Sequence, residues 1–131
     1  EVLAQPPYWG PSPIAPLTPV RFYPMNIDGD AGTSVLRADT PDDVQFLKYD
    51  VTNIVHALRP TGPQCVIGVG GGRDLWSALA FGHHNVTGVE VNPICLTSNS
   101  GITPRSPGAP ACAWLSTKRA ATCRVPRIHS T

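Results

Sequence analysis

The chain has 131 residues, with ten lysines and arginines against nine acidic residues, which gives a net charge of +1. A chain of this length holds at most one small domain, and a charge so close to zero argues neither for nor against a charged partner. No apolar run is long enough to cross a membrane, and the sequence carries no signal-peptide pattern. Because the chain begins at Glu1 rather than at methionine, we expect it to be part of a longer protein.

The four cysteines form no C-x-x-C pair and share no metal-binding spacing with the four histidines. We therefore expect neither a disulfide framework nor a zinc site. Cys65 belongs to an apolar run and is predicted to be a core thiol in a reducing compartment. This places the protein, or this part of a membrane protein, in the cytoplasm.

Residues 1–19 contain six of the fifteen prolines, which excludes a helix or a central strand. We predict a linker or an extended arm here. In such a segment the aromatic rings of Tyr8 and Trp9 are expected to be exposed rather than docked on a neighbouring surface.

Residues 20–35 predict short strands. Val20–Tyr23 is predicted as a strand that ends at Pro24, and Met25–Val35 as a hairpin turning at an Asp-Gly dipeptide, residues 28–29. Two aspartates flanking Gly29 also resemble the start of a calcium loop. The downstream glutamate of an EF-hand is missing, however, so turn chemistry is the better explanation.

Thr40 predicts the start of a helix, because a proline and two aspartates follow it. Threonine caps a helix, proline suits its first position, and carboxylates favour its positive end. Apolar residues then recur at helical spacing. We predict one continuous helix whose single apolar face contains Val44, Leu47, Val51, Ile54, Val55 and Leu58.

Residues 64–93 predict a strand, a glycine turn, a helix and a second strand. Cys65–Ile67 is an apolar run typical of a strand buried on both faces. Asp74–Phe81 carries a helix-spaced apolar face, and Gly82 stands where a glycine commonly ends a helix. Val86–Val91 predicts the second strand.

This arrangement predicts a nucleoside site, because ligands bind outside the carboxyl ends of parallel strands. Glycines at positions 68, 70, 71 and 72 let a ligand approach the main chain, and the helix start adds N–H donors. Glu90 ends the second strand 20 positions after Gly70 (90 − 70 = 20), the expected distance for a carboxylate that accepts both ribose hydroxyls. The alternative is a glycine turn without any ligand.

The glycine spacing distinguishes between families of nucleoside-binding proteins. A dinucleotide-binding G-x-G-x-x-G motif starting at Gly68 needs glycine at position 73, where this chain has Arg73. An NAD(P)-dependent oxidoreductase is therefore disfavoured, although it stays an alternative. A non-enzymatic chain whose proline-rich arm and basic tail bind a partner is a third possibility.

The observed G-x-G-x-G pattern resembles the first motif of class I S-adenosylmethionine-dependent methyltransferases. Together with the Val-Glu-Val-Asn-Pro segment at 89–93, residues 66–74 are similar to the spermidine synthase-like branch of that fold. The resemblance covers about residues 20–94, including a β-hairpin before the nucleotide-binding sheet. It implies an α/β fold: a partial Rossmann-like parallel sheet preceded by a β-hairpin and a helix, with irregular terminal segments.

The resemblance also implies a ligand and residue roles. The parent protein would transfer a methyl or aminopropyl group from S-adenosylmethionine or its decarboxylated form. Glu90 would bind the ribose hydroxyls, Val91 would pack beside the adenine, and Asp74 would orient the turn or contact the cofactor through water. The turn that would pass the cofactor close to its backbone consists of Gly68, Val69, Gly70, Gly71 and Gly72.

Two departures from the family leave the reaction open. Spermidine synthases carry an aspartate in the turn where this chain has Gly71, and of their Tyr-His-Glu segment only Tyr49 remains. Methyl and aminopropyl transfer therefore stay equally open, and no catalytic residue is identified. Asp50, next to that tyrosine, is predicted to lie on a solvated helix face.

The character of the chain changes after residue 94. All nine acidic residues lie within residues 1–90, whereas residues 91–131 carry five of the ten basic residues. Residues 94–131 show neither helical nor strand periodicity. A basic arm for nucleic acid, a disordered tail and an out-of-frame translation are the competing interpretations. The dispersed charges form a weak nucleic-acid footprint, so no nucleic-acid partner is expected.

A shift of reading frame is our hypothesis for this tail. Read one base out of frame, codons for residues 111–125 can encode a β-branched strand, an acidic pair and a helix start. Residues 20–94 are then an incomplete nucleotide-binding domain, residues 1–19 an arm, and residues 95–131 a frameshifted tail. A chain of this kind would be inactive alone, and its first parallel strand would have an unpaired edge. Membrane association is expected only through a missing upstream region.

Overall fold

A computed structural model describes residues 1–27, 29–92 and 95, and the backbone of residues 113–117 and 120–124. The first sheet is antiparallel and contains β1 (Val2–Ala4), β2 (Val20–Ile27) and β3 (Ala31–Leu36), in that order. The β2–β3 pair confirms the predicted hairpin. Its turn includes Gly29 at φ +86°, whereas Asp28 lies outside the described residues.

Pro24 does not end a strand, contrary to the prediction. The Arg37 N–H donates to the Arg21 carbonyl at 3.0 Å, so odd-numbered residues of β2 exchange the ladder hydrogen bonds with β3. Pro24 pairs with Ser34 between those bonds, where β3 needs no donor. On the other side of β2, β1 ends before it reaches Pro24, so the missing N–H leaves the sheet intact.

The helix start at Thr40 is confirmed. The Asp43 carboxylate accepts hydrogen bonds from the Asp39 N–H at 2.9 Å, the Thr40 N–H at 2.8 Å and the Thr40 hydroxyl at 3.1 Å. The Thr40 N–H is the main cause that lowers the pKa of Asp43 below its ordinary value. The Asp43 N–H in turn donates to the Thr40 carbonyl at 3.2 Å, and these bonds fix the first turn of a 3₁₀ segment over Pro41–Tyr49.

The continuous helix predicted over the following residues is wrong. The chain breaks at Asp50, which has extended backbone angles (φ −101°, ψ 130°), before a 3₁₀ turn over Val51–Asn53 and a short helix α1 (Ile54–Leu58). The break interrupts the helical periodicity, so the apolar residues after it no longer continue the same face. Only the first part of the predicted apolar face is therefore buried. Val44 and Leu47 are buried, whereas the exposed residues are Val51, Ile54, Val55 and Leu58.

The strand, helix and strand predicted over residues 64–93 are confirmed as β4 (Gln64–Ile67), α2 (Arg73–Ala80) and β5 (Val86–Glu90), with β4 and β5 parallel. The Gly82 N–H donates to the Leu79 carbonyl and the His83 N–H to the Ala78 carbonyl. These two bonds form a Schellman motif around Gly82, whose φ is +84°.

The second sheet has the order β4-β5-β7-β6, where β6 is Ala113–Thr117 and β7 is Ala120–Arg124. β7 runs antiparallel to both β5 and β6, so the sheet is parallel only between β4 and β5. The chain is thus mixed α/β, as predicted, but the sheet is not wholly parallel. The two tail strands lie in a segment whose sequence has no strand periodicity, and the rest of that tail, apart from residue 95, lies outside the described residues.

β4 lies at the edge of its sheet and is not buried on both faces, contrary to the prediction. Cys65 is an exposed free thiol rather than a core thiol, and 83% of Ile67 is exposed. Alternate residues of a strand point to opposite faces, and Val66, which points the other way, packs against the core. Only one face of β4 is therefore covered by the core.

The core lies between β3, the 3₁₀ segment over Pro41–Tyr49 and α2. Its best-buried members include Leu36, Val44, Leu47, Leu75, Leu79 and Val86. In the described part of the chain, no helix has the length and apolar character needed to cross a membrane.

Candidate functional site

The glycine turn between β4 and α2 has the backbone geometry that its sequence predicts. Gly68, Gly70 and Gly72 adopt φ values of +78°, +51° and +80°, which only glycine takes without strain. Gly71 is needed for a different reason, because a Cβ there would collide with the Ser34 carbonyl of β3. The Gly71 N–H donates to the Thr33 hydroxyl at 3.2 Å, so the hairpin lies directly against the turn.

Glu90 lies at the carboxyl end of β5 and reaches the glycine turn. One carboxylate oxygen accepts the Gly70 N–H at 2.8 Å, and the other accepts the Val91 and Asn92 N–H groups, both at 2.7 Å. Only 6% of the residue is exposed. The structure therefore brings the predicted acid and the predicted turn together, with the carboxylate acting as a clasp between two backbone segments.

Glu90 is held in its ionised form. Burial raises the pKa of a carboxylic acid, but the N–H groups of Asn92, Gly70 and Val91 lower it by more. The pKa of Glu90 consequently lies below its ordinary value. A charged acceptor is thus available at the turn at neutral pH, although three backbone donors occupy it in this structure.

The other predicted site residues differ in their exposure. Val91 is 77% exposed, and the Asp74 side chain is 58% exposed at the start of α2. Val69, by contrast, is buried in the core. Asp74 lines a polar cavity of about 290 Å³, which also contacts Trp9 and His56. Val91 and Asp74 are therefore accessible to a ligand, whereas Val69 contributes only its backbone.

Asp50 is a buried charged residue whose environment the sequence analysis predicted wrongly. It is not on a solvated face: its side chain is fully buried, with 0% exposed, and forms an ion pair at 2.7 Å with the nearly buried Arg73. Burial raises the pKa of Asp50, but the Trp9 and Thr52 N–H groups, the Thr52 hydroxyl and the Arg73 charge together bring it below its ordinary value. The partners are 23 residues apart, so no local pattern announces the pair.

The Asp50 carboxylate also attaches the N-terminal arm to the domain. It accepts the Trp9 N–H at 2.7 Å and the Gly10 N–H at 3.2 Å, and the Val51 N–H donates back to the Gly10 carbonyl at 2.9 Å. The Trp9 ring is exposed, as predicted, and lies 5.7 Å from the Arg73 guanidinium. Residues 8–12 are therefore a docked arm rather than a linker.

Tyr8 is partly buried, contrary to the expectation for a linker aromatic. Its ring packs edge-on against Phe46, with the centroids 5.7 Å apart, and its hydroxyl donates to the Pro16 carbonyl at 2.8 Å. The arm thus folds back on itself and contributes an aromatic ring to the edge of the core.

Two buried histidines lie behind α2. The rings of His56 and His83 are 5.1 Å apart, and burial is the main cause that lowers the pKa of each. Among the residues that the structure describes, no group of three or more potential ligands could hold a metal ion. The two rings are part of the packing, in which His56 also lies against Phe81.

Comparisons of this chain with protein-family models, curated proteins and solved structures find no significant match. The resemblance to spermidine synthase-like transferases therefore rests on the motif residues alone.

Proposed function

We propose that this chain binds the adenosine part of S-adenosylmethionine, or of its decarboxylated form, at the glycine turn and Glu90, as a partial Rossmann-like domain of a transferase. The observation that carries the proposal is the 2.8 Å hydrogen bond between the Gly70 N–H and the Glu90 carboxylate. It places an ionised acceptor beside a turn without side chains, at the carboxyl ends of two parallel strands.

Ribose binding requires a hydroxyl to replace that direct bond. A hydroxyl group is both a donor and an acceptor, so it can donate to the Glu90 oxygen while it accepts the Gly70 N–H. The bonds from the Val91 and Asn92 N–H groups to the other carboxylate oxygen can remain in place. The site is closed when Gly70 and Glu90 are joined by the direct hydrogen bond. It opens when a ribose hydroxyl lies between the turn and the carboxylate.

The surroundings of the turn are compatible with the rest of such a ligand. Val91 is exposed next to Glu90, where an apolar side chain can cover one face of an adenine ring. Asp74, at the start of α2, has an accessible carboxylate for a water-mediated or direct contact. These roles follow the family resemblance and stay proposals.

Asp50 contributes no acceptor site for aminopropyl transfer, but the exposed Asp74 carboxylate leaves methyl and aminopropyl transfer equally open. An aminopropyl acceptor is a cationic amine, which needs accessible carboxylates. Asp50 offers none, since its buried oxygens accept hydrogen bonds from Trp9, Gly10, Thr52 and Arg73. Gly71 stands where spermidine synthases carry an acid. The proposal covers the cofactor half of the site and assigns no catalytic residue.

Calorimetric titration with two matched nucleosides tests the proposal. We expect adenosine and S-adenosylhomocysteine to bind, and the dideoxy analogue of adenosine, which lacks both ribose hydroxyls, to bind at least about tenfold more weakly, because a buried carboxylate would lose its partners. Equal affinity for the two nucleosides would show that Glu90 does not bind the ribose. Tighter binding of NAD than of S-adenosylhomocysteine would favour the oxidoreductase alternative.

A non-catalytic role is the second candidate, because three backbone N–H groups, those of Gly70, Val91 and Asn92, donate to the Glu90 carboxylate. In that case the carboxylate serves only to hold the turn against residues 91–92. Binding of none of these nucleosides, combined with a large loss of stability in the Glu90→Gln variant, would support this alternative.

A further inference from the structure

A second cavity lies away from the glycine turn, between the docked arm and the helical segments of residues 48–57. It has a volume of about 610 Å³, is open to solvent on one side and is lined by residues of 10–14 and 48–57 together with Phe81. Neither Glu90 nor any glycine of the turn lines it. Its volume lies in the range of small-molecule sites, about 300–1,000 Å³. We refer to it as the arm cavity.

The walls of the arm cavity are mainly apolar and accessible. Ile14, Val51 and Ile54 all line it and are between 57% and 78% exposed. Backbone hydrogen bonds keep them in place: the Ser12 N–H donates to the Tyr49 carbonyl, and the Val51 N–H to the Gly10 carbonyl. These exposed side chains are thus held around one concave surface, where a ligand gains free energy by covering them.

Lys48 provides the charge of the arm cavity, which is positive. Lys48 lines it, lies 5.8 Å from the centre of the Phe81 ring and forms no ion pair with any residue that the structure describes. Asp50 also borders the cavity, but its side chain is fully buried against Arg73 and presents no charge to a ligand. An apolar concavity with a single uncompensated ammonium group selects an apolar molecule with one negative charge.

We propose that the arm cavity binds a small amphiphilic monoanion, with a carboxylate head at Lys48 and a hydrocarbon body against Val51, Ile54 and Ile14. A cationic amine is disfavoured by the same ammonium group. This site is separate from the proposed nucleoside site, so its ligand is a different molecule and its test is independent.

Calorimetric titration of the full chain with decanoate, with decanol as the uncharged partner molecule, tests the proposal. We expect saturable binding of both, and Lys48→Gln to weaken decanoate about five- to tenfold while decanol changes by less than about twofold, because an ammonium group near apolar walls acts only on the charged head. Ile54→Asp should abolish binding of both molecules.

Matched controls lie outside the cavity. Arg59→Gln removes another exposed cation, and Leu58→Asp places a charge on an exposed apolar residue next to the cavity. We expect both to leave decanoate affinity unchanged to within about twofold, since surface charges at a distance are screened. Circular dichroism of each variant verifies that it is folded.

Three results would overturn the proposal. The first is a failure of decanoate to bind at millimolar concentration, and the second is an unchanged decanoate affinity in the Lys48→Gln variant. The third is a Leu58→Asp variant that weakens binding as strongly as Ile54→Asp does, which would indicate a general apolar patch. Sedimentation gives a further check: a dimer that Ile54→Asp dissociates would identify a second copy of the chain as the occupant and would equally reject the monoanion.

Discussion

Asp50 and Glu90 are buried carboxylates, and each holds together backbone segments that are distant in the sequence. Each lies where the chain changes direction and accepts backbone N–H groups from segments distant in sequence: Asp50 from Trp9 and Gly10, and Glu90 from Gly70. Each has a pKa below its ordinary value because these donors outweigh the effect of burial. The difference is that Asp50 also has Arg73 as a counter-ion, whereas Glu90 accepts hydrogen bonds from backbone N–H groups, of which the one from Gly70 can be replaced by a ligand hydroxyl.

The Asp50→Ala variant should be strongly destabilised. It leaves the Arg73 guanidinium buried without its partner and frees the arm, so we expect a loss of about 3–5 kcal/mol in the free energy of unfolding. Urea denaturation measures this loss. Asp74→Asn, which removes the exposed carboxylate 3.6 Å from the same guanidinium, is the matched control and should cost less than about 1 kcal/mol. Equal losses in the two variants would show that the buried pair has no special role.

Gly71→Ala should disturb the contact between the hairpin and the glycine turn. Its Cβ would collide with the Ser34 carbonyl, so we expect a loss of about 1–3 kcal/mol in urea denaturation, the usual cost of an overpacked site. Gly32→Ala is the control, because its Cβ would meet only the Asn26 side chain and should change stability by less than about 0.5 kcal/mol. A neutral Gly71→Ala variant would mean that β3 does not lie on the turn.

At the scale of elements, local chemistry predicted most of what the structure shows. The glycine turn, the Gly82 helix end and the hairpin follow from residues that favour one backbone geometry. The apolar periodicity after Val44 misled, because Asp50 is recruited by Arg73 and by the arm, and these long-range partners break the helix. Likewise Pro24 is tolerated because of its register with β3, which sequence alone does not reveal.

Ile67 tests whether one face of β4, a strand at the edge of its sheet, is exposed. We expect Ile67→Lys to change the free energy of unfolding by less than about 0.5 kcal/mol and to raise solubility, because a charge on an edge strand opposes association. Leu47→Ala, in the core, should instead cost about 2–5 kcal/mol. A loss in Ile67→Lys as large as that of the core variant would place β4 in the interior.

At the scale of the whole molecule, long-range contacts join parts that the sequence presented as separate. The arm is held by Asp50, the hairpin lies on the glycine turn, and two tail strands extend the sheet beside β5. None of these contacts has a local signal, which explains why the arm seemed a linker and the tail irregular. The hypothesis of a shifted reading frame stays a prediction, which sequencing of the encoding DNA decides.

The stability of the whole molecule should fall as the pH drops below neutrality. His56 and His83 have lowered pKa values because burial disfavours their charged forms. In the unfolded chain both imidazoles take up protons as the pH falls through about 6.5, whereas in the folded chain they do so only at lower pH. Stability contributed by the neutral rings is therefore complete above about pH 7 and declines below it. Asp50 and Glu90, with lowered pKa values, add a further loss below about pH 4.

Thermal unfolding between about pH 7.5 and 5.5 measures the histidine contribution. We expect His56→Phe to make the decline shallower, because one buried titrating ring is gone and the aromatic packing against Phe81 is kept. The exposed His84 provides the control. Its charge is only a minor cause of the lowered pKa of His83, so His84→Gln should change the slope less than His56→Phe does. A wild-type chain whose stability is flat over this range would contradict the burial of the two rings.

The central claim is that a ribose hydroxyl replaces the hydrogen bond between Gly70 and Glu90, and amide NMR reports on that bond directly. On titration with adenosine, we predict a saturable shift of the Gly70 amide signal, and a much smaller shift at the same concentration of the dideoxy analogue. If adenosine leaves the Gly70 amide signal unmoved, or if both nucleosides shift it equally, the glycine turn and Glu90 do not form a ribose site.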